Sequence, residues 1–143
     1  MTLIDANILI YAEDSSSVHH SVIRLWWDDL LSSGNEVALC WPVLSGFLRL
    51  VTNPKILQSP MTPEEACGKI DSWLAVPGVK ILEPGMNHWR FFSAMIKGVP
   101  CRANLVSDAH LAALAMEHDC ELASCDTDFA RFQGLKWNNP LPV

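Results

Sequence analysis

The sequence predicts a single three-layer α/β domain, with a parallel sheet of four to five strands flanked by helices. Three observations predict it. The 143 residues match one domain in size, and half are hydrophobic, enough for one substantial core. Short apolar runs of four or five residues alternate with helical patterns along the whole chain, as βαβ units do. There is no internal repeat, low-complexity segment or linker that would divide residues 1–143 into separate domains.

Thr2 to Asp5 is a short apolar strand, and Asn7 to Ala12 is one or two helical turns. Ser15 to Ser17 break the pattern. Val18 to Leu31 carries Val22, Leu25, Trp26 and Leu30 at helical spacing and reads as an amphipathic helix, ended by Ser33-Gly34-Asn35. Because Trp26 and Trp27 are adjacent, one of them points away from the main apolar stripe and is available to a partner. Val37 to Trp41 is the second strand. Pro42 suits the first turn of a helix over Val43 to Val51, which stops near Asn53-Pro54. Thr62-Pro63-Glu64-Glu65 is a capping box opening a helix to Ala75. Pro77-Gly78 turns into a third strand, Val79 to Leu82. Asn87 caps a helix to Lys97, and Ser107 caps another from Asp108 to His118. Glu121 to Ser124 is the fourth strand, Asp126 to Phe132 a turn with a short helix, and Leu135 to Trp137 a small fifth strand.

No apolar run approaches the roughly 18 residues that span a bilayer. Met1 leads into a strand interrupted by Asp5, without the basic region or cleavage site of a signal peptide. Five irregularly spaced cysteines argue against a disulfide framework and for a reducing, cytoplasmic setting. His118, Cys120 and Cys125 lack the second paired element of a zinc site, so the cysteines read as small buried hydrophobes. The net charge of −6 makes the chain an unobvious nucleic-acid binder, but part of it fits a carboxylate site neutralised by a cation.

The carboxylates carry the chemistry. Ligands bind at the carboxyl ends of strands in an open parallel sheet. Asp5 follows strand one, Asp126 follows strand four, and Asp108 opens the helix that feeds strand four. If strands one and four are neighbours, these three acids meet at one edge. Each alone has a structural explanation: a helix dipole for Asp108, a turn for Asp126 and Asp128, a strand end for Asp5. Together they form an oxygen-rich site suited to Mg²⁺ or Mn²⁺, and phosphodiester hydrolysis is the reaction that uses one. His19 and His20 read as surface or packing residues, and His110 as packing or as support for the acids.

The segments LIDANILIYA, FLRLVTNP, ANLVSDAHLAALAMEHDCELASCDTDFARF and GLKWNNPL, in that order, resemble the PIN-domain nucleases, most closely the VapC toxins of type II toxin–antitoxin modules. The resemblance covers nearly the whole chain. It implies a Mg²⁺- or Mn²⁺-dependent endoribonuclease acting on tRNA or ribosomal RNA, a homodimer, and a cognate antitoxin that blocks the site. By position it makes Asp5, Asp108 and Asp126 the metal-binding acids, with Asp128 as a supporting acid or alternative ligand. Asn7 and Ser124 match small polar positions that orient those acids. Arg49 matches an arginine near the site, a phosphate contact or half of an internal ion pair. The chain departs from the family at Gly46, where the family reads E-F-L-R and this sequence reads Gly46-Phe47-Leu48-Arg49. The second of four acids is therefore missing, and reduced or lost activity is expected. The competing functions are a non-catalytic module that binds an antitoxin or RNA, and a signalling receiver. The receiver is disfavoured because strand three exits into Glu83-Pro84-Gly85 and no lysine directly follows strand four.

Overall fold

The computed structural model describes residues 1–142. Five parallel strands lie in the order β3-β2-β1-β4-β5. They are β1 (Thr2–Ile4), β2 (Val37–Leu39), β3 (Val79–Ile81), β4 (Glu121–Ala123) and β5 (Trp137–Asn138). β1 is central, pairing Leu3 with Ala38 of β2 and with Leu122 of β4. β1 and β4 are thus neighbours, the condition on which convergence of the acids depended.

Chain order explains where a crevice forms. β1, β2 and β3 step outward in one direction, and the chain then returns to place β4 on the other side of β1. The order reverses between β1 and β4, and a crevice opens at the carboxyl ends of strands at such a reversal. With right-handed crossovers, the helices before β3 cover one face and those between β3 and β4 cover the other. The contacts agree. α1 (Ala6–Glu13) packs on α2 (His20–Ser32) and α3 (Trp41–Val51), α3 packs on α4 (Pro63–Leu74), and α5 (His88–Gly98) packs on α6 (Asn104–Glu117).

The first face is held by rings. Trp73 meets Trp27 edge-on at 5.9 Å and Phe47 at 5.0 Å, and all three are buried. On the second face, Ala109, Ala112, Ala113 and Ala115 are fully buried, which lets α6 lie close to the sheet. Joints at the site are short. Asp5 alone separates β1 from α1, and Cys40 alone separates β2 from α3.

Several boundaries differ from expectation. Trp41 begins α3 rather than ending β2, because Pro42 holds the second helical position. The buried stripe of α2 runs through Ile23 and Trp27, while Val22 and Leu25 are exposed and Trp26 is half-buried. α6 begins at Asn104, a turn before Asp108, so Ser107 is not its cap; the boundary is Ala103, held at φ 52°. Asn87 stands at the start of α5 but its side chain makes no capping bond. The Thr62–Glu65 capping box forms in both directions. Among the described residues no helix is long and apolar enough to cross a membrane.

Candidate functional site

Asp5 ends β1 and caps α1. Its backbone N–H continues the ladder to the Ala123 carbonyl at 3.0 Å. Its carboxylate accepts three hydrogen bonds: from the Ala6 N–H at 2.7 Å, the Asn7 amide at 3.2 Å and the Ser124 hydroxyl at 2.6 Å.

Ser124 is the hub. It is fully buried, and its hydroxyl donates to Asp5 while accepting from Asn7 Nδ2 at 3.1 Å and the Asp126 N–H at 3.0 Å. That exhausts the capacity of a hydroxyl. Its carbonyl takes the Trp137 indole N–H at 3.0 Å and its N–H donates to the Asn138 carbonyl at 3.1 Å. Asn7 Oδ1 in turn accepts the Cys125 N–H at 3.1 Å. Asn7 and Ser124 therefore tie the ends of β1 and β4 together and set the direction of Asp5.

Asp126 caps a 3₁₀ turn, Thr127–Arg131, by accepting the Asp128 N–H at 2.9 Å. One carboxylate oxygen from each of Asp108, Asp126 and Asp128 lies within 4.8 Å of the others, the single such group of three among the described residues. Asp128 thus stands inside the cluster, with Arg131 3.9 Å away as a weak exposed partner. Asp5 sits beside it rather than in it, lining with Asp108, Gly46, Arg49 and His110 a cleft of about 270 Å³.

The electrostatics are those of a site short of positive charge. Burial, then the charges of Asp126, Asp5 and Asp128, push the Asp108 carboxyl up to about 6. Burial lifts Asp5 as well; the Ser124 and Ala6 hydrogen bonds oppose the rise and the charge of Asp126 adds to it. Two thiols feel the same field: burial and then Asp5 drive Cys125 up to about 12. Burial drives Cys40 up to about 11, the Val43 backbone hydrogen bond opposing it and Asp5 adding to it. Both stay protonated, consistent with packing roles. The His118 Nε2 is bound to the Glu83 carbonyl at 2.9 Å, and the ligand group found among the described residues includes neither His118 nor Cys120 nor Cys125.

Oxygens on opposite sides of an octahedral Mg²⁺ lie about 4.2 Å apart. Three carboxylates, each offering an oxygen within 4.8 Å of the others, are an oxygen-only donor set of the kind that suits a hard divalent cation. Gly46 lies on the wall of the same cleft. A Cβ there would meet only Ala6 Cβ, at 3.8 Å, so the position accepts a Cβ without displacement. Arg49 is exposed in the last turn of α3 and makes no ion pair among the described residues.

Sequence reasoning missed Glu117. Its carboxylate accepts the Gly85 N–H at 2.8 Å and the Asn87 N–H at 3.1 Å, pinning the entry to α5 against α6. Glu117 sits 30 residues or more from these partners, and no local motif announces it.

Comparison with known proteins places this geometry. The PIN domain family model matches residues 2–135. Ribonuclease VapC37 of Mycobacterium tuberculosis is 39% identical over 140 residues, 98% of this chain and 97% of that protein. Ribonuclease VapC33 of the same species is 35% identical over 141 residues, 99% of each. The chain belongs to the PIN-domain family, among the VapC ribonucleases. Among solved structures, VapBC2 of Rickettsia felis, bound to a promoter DNA fragment, matches with a TM-score of 0.70 at 18% identity over 96% of this chain and 97% of its own. VapC20 of M. tuberculosis, a sarcin–ricin loop cleaving toxin, matches with a TM-score of 0.64 at 14% identity over 95% and 99%. Both are likenesses of fold.

Proposed function

We propose that this chain is the toxin of a toxin–antitoxin pair, built as a Mg²⁺- or Mn²⁺-dependent endoribonuclease and weakened or silenced by glycine at position 46. The observation that carries the metal site is the acid group of Asp108, Asp126 and Asp128 at the β1–β4 crevice. Ribonuclease relatives over nearly the full chain support the reaction class. Solved relatives described as VapBC and toxin–antitoxin complexes support an antitoxin partner. A homodimer completes the proposal.

In this mechanism Asp108, Asp126 and Asp128 would hold the cation, with Asp5 beside them in the cleft it shares with Asp108. When bound, the cation activates a water and stabilises charge on the phosphoryl oxygen. Ser124 and Asn7 hold Asp5 in one orientation, so it need not reorganise during the reaction. Arg49, free of an ion pair, contacts a phosphate of the strand. Gly46 leaves the α3 wall without the acid that the resemblance expects, and cation affinity falls with it.

The test compares the chain with its Gly46→Glu form on structured tRNA and ribosomal RNA fragments, with and without Mg²⁺ or Mn²⁺. Cleavage by the Glu form alone, and only with metal, is the expected result. Absence of cleavage by both, with both folded, would replace the enzyme by a non-catalytic module that binds an antitoxin or RNA. Full metal-dependent cleavage by the Gly46 chain would overturn the silencing.

A further inference from the structure

The chain carries 16 acids, yet none lies between Pro84 and Ser107, where Arg90, Lys97 and Arg102 are found. This stretch is the entry to α5, α5 itself and the connection into α6. Of the ten Lys and Arg side chains, five are in ion pairs among the described residues: Arg24, Lys69, Lys80, Arg131 and Lys136. Three of the five others are the cations of this acid-free stretch, and a fourth, Arg49, lines the acid cleft. Four of these five cations are therefore on this segment or in the cleft beside it, Arg90 lying 4.9 Å over the Phe91 ring; the fifth is Lys55.

The same segment is aromatic. Phe92 meets His110 edge-on at 5.3 Å, and His88 lies 4.6 Å from His110. Trp89 stacks edge-on against Phe92 at 5.9 Å and is 69% exposed. A hollow of about 300 Å³ lined by Phe92, His110, Pro42, Val106 and Ser107 opens beside these rings. It shares Pro42, Ser107 and His110 with the acid cleft. An aromatic-walled hollow next to the acid cleft, with Arg49 in that cleft and Lys97 and Arg102 on the adjoining segment, has the two parts of a single-strand binding surface: charge for the backbone and rings for the bases.

We infer that α5 and the α5–α6 connection form the track for a single RNA strand, and that the Phe92–His110 hollow holds an unpaired base next to the phosphate in the acid cleft. This rests on the ribonuclease proposal for its substrate. It adds that recognition requires a base free to leave its helix.

The experiment reads binding, so it does not depend on Gly46. The full chain is titrated, in Mg²⁺, into a short single-stranded RNA carrying one 2-aminopurine, and into the same RNA with an abasic site there. Stacking in the hollow quenches the 2-aminopurine. Phe92→Leu, which keeps apolar volume and removes the ring face, is expected to abolish the quench and weaken binding about tenfold, leaving abasic RNA unaffected. Arg90→Gln with Lys97→Gln is expected to weaken both RNAs equally and flatten the salt dependence. Val106→Asp, at an exposed position, repeats the block without touching the core. Equal affinity for intact and abasic RNA, or an unchanged quench in Phe92→Leu and Val106→Asp, would overturn the inference. Unchanged RNA binding with a change in oligomeric state on size exclusion would overturn it too, assigning the surface to a second copy. Base-dependent binding without cleavage by the Gly46→Glu form would retain the track and reject the enzyme; cleavage indifferent to the base would do the reverse.

Discussion

The Ser124 hydroxyl lies 2.6 Å from Asp5 Oδ2, joining residues 119 apart in sequence at the ends of two adjacent strands. Removing the hydroxyl takes a hydrogen bond from three partners at once: the Asp5 carboxylate and the Asn7 amide, which still hold each other, and the Asp126 N–H, which is left without its acceptor. Ser124→Ala is expected to destabilise the protein by about 1–3 kcal/mol, the cost of leaving buried polar groups unmet. Chemical denaturation measures it. The same change raises the Asp5 carboxyl further, since the Ser124 bond opposes that rise, and a change in stability without any change in the titration of Asp5 would contradict the hub role.

Asp108 makes the metal-free protein pH-sensitive. Its carboxyl titrates at about 6 in the folded chain, against 3.8 for an unperturbed aspartate, because of burial and neighbouring acids. Between those values the folded state holds a proton that the unfolded state has released. Stability therefore falls as pH rises through that window, and stays lower above it. Asp5, also raised, acts in the same direction. Half-exposure of Asp108 tempers the size of the effect. Thermal unfolding in EDTA from pH 3.5 to 7 is expected to show the decline, and Asp108→Asn to flatten it. Mg²⁺ is expected to restore stability above pH 6, where the acids are ionised.

Position 46 separates helix stability from chemistry. A glycine within a helix costs about 1 kcal/mol relative to alanine, and the Cβ site is free apart from an ordinary contact with Ala6 at 3.8 Å. Gly46→Ala is expected to stabilise the fold by about that amount and to leave RNA cleavage where it was. Gly46→Glu is expected to gain cleavage and metal affinity. Equal rescue by both variants would mean that helix rigidity, and not a carboxylate, is what the site lacks.

Glu117 predicts a local opening. It holds the Gly85 and Asn87 N–H groups, and a Cβ at residue 85 would come within 2.8 Å of Glu117 Oε2. Glu117→Ala is expected to cost about 1–3 kcal/mol and to speed amide hydrogen exchange around residues 85–87. Gly85→Ala is expected to produce the same exchange pattern by displacing the carboxylate. Unaltered exchange in both would show that α5 is held by its packing on α6 alone.

The strands were legible because each is short, apolar and followed by a helical pattern; the adjacency of β1 and β4 was left as a condition, which the structure meets. The meeting of the acids at one edge followed from that adjacency. Their fine arrangement was not legible. Asp128 joins Asp108 and Asp126 while staying exposed, because a 3₁₀ turn capped by Asp126 brings it beside them, a geometry that the spacing Asp126-Thr127-Asp128 does not distinguish from an ordinary turn. The start of α6 was misplaced because Ser107-Asp108 has the chemistry of a cap, while the true boundary is an alanine at positive φ with no compositional signal. On α2, Val22, Leu25 and Trp26 satisfy helical spacing as well as Ile23 and Trp27 do, and only packing against Trp73 decides between them.

The single-residue joints at Asp5 and Cys40 have an evolutionary consequence. A loop of one residue has no slack, so an insertion there would break the strand ladder or unwind the following helix. The acid-bearing corner of the molecule is consequently closed to change in length. The connection from α5 to α6 carries no such constraint and can lengthen, shorten or change composition while β4 keeps its register. On the RNA track proposed above, a change of target falls to that connection, around an acid-bearing corner that stays fixed in shape.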